Sequence, residues 1–449
     1  MKNKTLVSIL LLLICSLLLA EDWLTIYNDD LSLVRSTFEI ELEAGRQEYN
    51  FDMITSRIQP SSVIVSSKLP GFKVAEQNYE YDLADRYAVL GKYLNKEITV
   101  YMEDGSRTSG YLKFFDYSTY GIEESKTQRF IMVAADKVQT IQLASLPENF
   151  YVRPTLHWSL ISPKSGKVPI QLSYLSGGFS WDVTYNTVWD GKKLDFNSWV
   201  TINNRSGRAF EDANLKLIAG EINRVREFTI RGGRSKEVTF STANLAIDEA
   251  APSFEEKAFH DFHMYTLDQK VSFANNQTKQ LSLYPTMNVT AEGRYEYDVW
   301  GDAVRSVIKF KNTEENGIGV PLPKGVIKVY KQDSDENMEF IGEDSINHTG
   351  RNEEVKITTG KAFDLVASTL SKDRRNISKN VSECTLQVTI RNNSNEEKTI
   401  DVFHQLGGNA RIIRWDIKPE IDSNNKATFP VTVPKDSEII FTFRERTQY

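Results

Sequence analysis

An all-β chain is predicted from three features of the sequence. Short runs of alternating apolar residues recur along most of its length, among them Ile170, Leu172 and Tyr174, then Trp181, Val183 and Tyr185. Pairs suited to tight reversals punctuate these runs: Asp104-Gly105, Gly177-Gly178 and Asp190-Gly191. Segments with helical periodicity are few. The architecture these features imply is a set of tandem β-sandwiches with one small five-stranded barrel ahead of the main body. The stretch Val168–Ile202 states the pattern most clearly, and it reads as three aromatic-rich strands in a meander, with a tight reversal at Ser176-Gly177-Gly178.

Composition sets the frame for each element. A chain of 449 residues accommodates roughly two to four domains. Its 40% hydrophobic and 11% aromatic content supplies packed cores, which argues against global disorder. The first twenty residues read as an export signal: Lys2 and Lys4, an apolar block from Leu6 to Leu19, and small Ala20 at the cleavage position before Glu21. The block is shorter than the ~20 apolar residues of a spanning helix, so the mature chain is expected to have no transmembrane span. Ile14 before Cys15 is too bulky for a usual lipid-attachment site. Loss of Lys2 and Lys4 takes the net charge from −7 to −9, a balance that disfavours nucleic acid as a partner. Cys384 is then the one remaining cysteine, which excludes an internal disulfide, and it reads as a small buried residue of a strand.

Residues 21–89 are expected to form an amino-terminal β-domain. Residues 90–145 change character, with about five short strands (ITVYM, GYLKFF, YGIEE, RFIMVA, VQTIQL) and the Asp104-Gly105 hairpin turn. Their order, with Gly110 and Leu112 after that turn, resembles the small bent barrel of the Sm-like superfamily. Members of that superfamily often bind RNA. Here the exported location and acidic Glu123-Glu124 point to a structural or protein-contact module. The first part of the main body, 150–240, precedes a small, acidic, proline-containing linker or long loop at 241–258. Residues 259–449 form the second part. Three strands end on asparagine, at Asn204, Asn312 and Asn392, as strands of immunoglobulin-like sandwiches commonly do.

The blocks Arg153–Leu160, Leu172–Asn186, Ser198–Val225, Phe262–Asp268 and Leu322–Ala367 carry a family resemblance. Over roughly residues 150–445 the chain resembles the mucoidy-inhibitor-A-like domain of unknown function, found in exported bacterial proteins. Many relatives carry a coiled coil ahead of this domain, and here the small barrel stands in that place. The resemblance implies a β-rich exported protein, and it supplies no catalytic residue.

Candidate chemistry is sparse. His260 and His263 are three apart on a strand, so they face opposite sides and do not converge on a metal. Asp333-Ser334-Asp335-Glu336-Asn337 is oxygen-rich enough for calcium, but it sits between two strands and reads as an acidic hairpin tip. Trp158, Trp181, Trp189, Trp199, Trp300 and Trp415 could form a sugar platform, whereas alternation favours the core for Trp181 and Trp199. No nucleophile elbow, phosphate loop, zinc-protease helix or dinucleotide fingerprint is present. No catalytic, metal or cofactor-binding residue is assigned, and no cofactor is expected. The reading is an exported bacterial protein, periplasmic or extracellular, that binds or assembles with a protein or polysaccharide at the cell envelope. The rival reading is a hydrolase of envelope polysaccharide or peptidoglycan, whose paired carboxylates a sequence alone cannot reveal.

Overall fold

The computed structural model describes residues 21–28, 30–81, 86–143, 151–220, 254–259 and 262–449. The leader at 1–20, residues 241–253 of the expected linker, and His260 lie outside the described residues. The fold is all-β, built from several separate sheets. Among the described residues, α-helix is confined to Arg86–Gly91.

The chain divides into two compact units. One takes residues up to 180 with 203–216 and 270–277, and the other takes 181–202, 217–269 and 278–449. This interleaving replaces the serial order of domains read from the sequence. Its cause is visible inside the first unit. Thr155–Ser162 pairs with both Gly45–Phe51 and Lys73–Glu80, while Gly166–Ser176 pairs along the whole of Ser32–Leu42. The expected amino-terminal domain, 21–89, is therefore completed by strands from beyond residue 150.

In the first unit one sheet runs in the order Phe210–Ala219, Glu21–Tyr27, Ser32–Leu42, Gly166–Ser176, Ile64–Ser67. A three-stranded sheet of Gly45–Phe51, Thr155–Ser162 and Lys73–Glu80 packs on it. The contact is aromatic: Phe38 stacks on Phe51 at 4.4 Å between ring centroids, and Phe51 on buried Trp158 at 5.5 Å.

The meander expected over 168–202 is corrected. Gly166–Ser176 and Phe179–Trp189 belong to different sheets, and only the latter lies beside Lys193–Asn204. The Gly177-Gly178 turn is thus a passage between sheets. Gly178 has a φ of 88°, and a Cβ there would stand 2.6 Å from the backbone of Arg205 and Ser206, so only glycine fits. Its N–H donates to Asp30 Oδ1 at 2.6 Å, which fixes the passage.

Residues 97–143 supply the five short strands read from the sequence, in the order Val138–Leu143, Glu97–Met102, Arg107–Phe115, Thr119–Glu124, Phe130–Ala134. They bury a core of their own: Leu90, Tyr93, Ile98, Val100, Leu112, Tyr120, Ile122 and Val133. The sheet is open, not a closed barrel, because the two end strands do not pair with each other. The three-residue turn Ala135–Lys137 redirects the chain from one edge to the other, where Val138–Leu143 joins Glu97–Met102.

The second unit holds a five-stranded sheet in which Gly325–Gln332 runs parallel to Phe179–Trp189. It also holds a sandwich of a six-stranded and a four-stranded sheet. The core between those two is formed by Ile400, Val402 and Phe429 on one side and Leu386, Val388 and Phe443 on the other. Phe429 and Phe443 meet at 4.7 Å. Phe254–Phe259 is a strand paired with Phe262–Leu267, so the loop expected over 241–258 ends by Phe254.

Candidate functional site

The strand Glu21–Tyr27 buries every second residue, and Asp22 occupies an inward position with Leu24 and Ile26. A carboxyl in such a place needs partners. Pairing with Ser32–Leu42 sets Ser36 directly opposite, and its hydroxyl donates to Asp22 Oδ1. Arg208 reaches Oδ2 at 2.6 Å from the loop that precedes Phe210–Ala219. Its guanidinium lies 4.4 Å over the Phe210 ring, which holds the fork in place. Burial raises the Asp22 carboxyl above the ordinary aspartate range, and Arg208 and Ser36 offset only part of that rise.

This pair forms the floor of a cleft of about 770 Å³ in the first unit. Glu21, Asp52, Glu211, Asp212, Arg153 and Lys270 stand around it. Asp52 and Arg153 are 3.6 Å apart, as are Glu21 and Lys270. Asp22, Asp52 and Glu21 are therefore each matched to a cation. Nη1 of Arg208 is buried without a hydrogen-bond partner, and the Tyr174 hydroxyl lies against the same guanidinium. No tryptophan or histidine lines the cleft. Chemically the site can hold a small polar or anionic group on Arg208, or release a proton from Asp22.

The residues weighed from the sequence do not gather here. His263 Nδ1 donates to the Glu256 carboxylate at 2.8 Å, and its sequence neighbour His260 lies outside the described residues. At the acidic hairpin tip, Asp333 Oδ1 accepts the N–H of Asp335 at 2.8 Å and of Asn337 at 3.1 Å, and Glu336 takes a φ of 65°. Those carboxylates shape a turn. Among the described residues, no group of three or more His, Cys, Asp or Glu is arranged to hold a metal ion. Trp158, Trp181 and Trp189 are core residues, while Trp199, Trp300 and Trp415 are exposed at 39%, 67% and 44%. The core position expected for Trp199 is corrected: its strand turns Leu194, Phe196, Val200 and Ile202 inward, and Trp199 has the opposite parity. Cys384 is half-buried beside the carboxy-terminal core, 3.3 Å from the Ser371 hydroxyl.

Two pairs escaped the sequence reading. Asp22 and Arg208 are separated by 186 positions. His404, buried, meets Glu445 at 2.9 Å across 41 positions, and its Nδ1 has no partner. No local motif signals either pair, since each depends on strand register.

No family profile matches the chain, and no curated protein is similar to it. A crystal structure from Parabacteroides distasonis ATCC 8503, described as that of a candidate protease, aligns over 96% of this chain and 92% of its own. The identity is 5% and the TM-score 0.13, a level at which the alignment carries no argument about fold or activity.

Proposed function

We propose that this is an exported cell-envelope protein that works by binding or assembly, without catalysis. One observation carries the reading most directly. Three of the carboxylates at the cleft, Glu21, Asp22 and Asp52, are each matched to a cation, an arrangement suited to holding a polar ligand and poorly suited to acid–base work by those groups. The apolar leader with Ala20 before Glu21 supports export, and the resemblance to the mucoidy-inhibitor-A-like domain supports an envelope setting. Its first test is the amino terminus. Protein recovered from the periplasm or the medium is expected to begin at Glu21, and an intact Met1 on a membrane-bound product contradicts export with cleavage.

A second reading is favoured by a single feature, the raised Asp22 carboxyl at the floor of a cleft. In an envelope hydrolase, Asp22 is the group that protonates a leaving oxygen. Release of soluble sugar from envelope polysaccharide or peptidoglycan, lost in Asp22→Asn with the fold retained, would establish that reading. If the protein only binds, neither wild type nor variant releases sugar.

A further inference from the structure

The carboxy-terminal sheet of the second unit runs Leu365–Ser378, Val381–Asn392, Ser437–Gln448, Ala410–Trp415. Leu386, Val388, Phe441 and Phe443 turn one face into the sandwich core. The residues between them form the opposite face, since successive side chains of a strand alternate. On that face the register aligns Arg375 with Glu383, Glu383 with Arg446, and Arg446 with Arg411. The neighbouring row aligns Asp373, Thr385, Arg444 and Arg414.

The carboxylates of this face are already engaged. Glu383 is buried against Arg446 at 2.6 Å and Arg444 at 3.6 Å. Asp373 holds Arg375 at 2.7 Å and Arg444 at 3.6 Å. Arg444 Nε also donates to Thr385 at 2.9 Å. Asp416, beside the second row, accepts the N–H and the hydroxyl of Thr442. Arg411 lies opposite Arg446, and Arg414 opposite Arg444, with Glu383 and Asp373 paired to Arg444 and Arg446 and Asp416 stabilised in part by the charge of Arg414. Like charges directly across a sheet destabilise it. Five arginines (Arg375, Arg411, Arg414, Arg444 and Arg446) against three carboxylates (Asp373, Glu383 and Asp416) leave this face net positive in a chain whose net charge is −7, a place where a bound anion restores balance.

We propose that this arginine face binds a carboxylate-bearing polysaccharide. The planar guanidinium fork matches a carboxylate through two parallel hydrogen bonds. Four strands spaced about 4.8 Å apart give a broad surface on which an extended polymer can lie. Further along the same face, Gln387 and Thr389 offer partners for sugar hydroxyls. The exposed apolar residues there, Val366, Leu370 and Ile440, are aliphatic, so the face lacks the stacking platform that single-stranded nucleic acid requires. Guarding of a free sheet edge accounts for charge on Ala410–Trp415 alone, whereas Arg444 and Arg446 lie on an interior strand. The inference deepens the binding reading and rests on it.

Native gels cast with polygalacturonate, or with dextran as the neutral polymer, test this on the full chain. Polygalacturonate is expected to retard the protein, less so as salt rises, and dextran to leave it unchanged. R411T/R414T should bind about tenfold more weakly, the loss of two charge-assisted contacts. Its Tm without polymer should be equal or higher, because the cross-strand repulsion is gone. K324T/K331T removes the same charge from exposed positions elsewhere and should bind as the wild type does. If R411T/R414T misfolds, R411Q is read in the same way. No retardation of the wild type, equal weakening in K324T/K331T, or retention by anionic phospholipid vesicles alone overturns the proposal. A wild-type chain that is not retarded but still sediments with envelope fragments overturns this inference and leaves the binding reading intact.

Discussion

Asn204 and Asn392 do the same work at two strand ends. Both are fully buried, and both sit in the pattern Val-Thr-Ile-x-Asn-x-Ser. In each, the Asn Oδ1 accepts the N–H and the hydroxyl of the serine two residues on, at 3.1 and 2.7 Å for Ser206 and at 3.0 and 2.7 Å for Ser394. Each Nδ2 donates to the carbonyl four residues on, Arg208 or Glu396. Asn312 clasps Val320 and Gly350 in a related way. The sequence reveals the asparagines, but not that one side chain satisfies several buried backbone groups. Asn392→Ala should cost about 2–3 kcal/mol in denaturant unfolding, since it leaves buried polar groups unpaired. Exposed Asn393→Ala should be near neutral. Equal effects would contradict the clasp. Glu296 is a second residue with a defined cost. Burial works against its charge, yet Lys309 at 2.6 Å and Lys356 at 3.2 Å together hold its carboxyl below the ordinary glutamate range. A depressed carboxyl stabilises the fold above its unfolded pKa of about 4.3, and that gain is lost as pH falls through the folded value. Glu296→Gln is expected to be less stable by about 1–2 kcal/mol at pH 7, with the gap closing below about pH 4. A gap that persists at pH 3 would show that packing, not charge, is responsible.

Elements show where sequence patterns end and register begins. Alternation places Trp181 in the core, and the turn pairs mark the small strands between 97 and 143. Neither indicates which strands become neighbours. The reversal at Gly177-Gly178 has the residues of a hairpin, yet Gly166–Ser176 finds its partner far earlier in the chain, on Ser32–Leu42. The pairing runs from Ser176 opposite Ser32 to Gly166 opposite Leu42, at the far end of that strand. Long-range register of this kind is set by the whole buried face, not by the local turn. The open five-stranded sheet, by contrast, closes its core with residues 89–143 alone. Replacing 90–145 with a short Gly/Ser linker should therefore leave the rest of the chain folded, although a unit of ~55 residues is near the lower limit for independent stability. Thermal unfolding of the deletion protein checks this, with one cooperative transition expected. Loss of that transition would make the inserted sheet integral to the core around it.

At the scale of the whole molecule, composition and alternation were enough for the fold class, and the division into units was not legible. Residues 203–216 and 270–277 join the first unit although their sequence neighbours join the second. The candidate cleft was hidden for the same reason, because Asp22 and Arg208 meet only once distant strands are in register. On the proposed reading, this molecule holds on to envelope material without cutting it. Sedimentation of the purified chain from Glu21 with labelled, insoluble envelope polysaccharide and peptidoglycan tests that proposal most directly. The protein is expected to enter the pellet in a saturable way while the label stays there with it. Label released to the supernatant by the wild type, and not by Asp22→Asn, would contradict it.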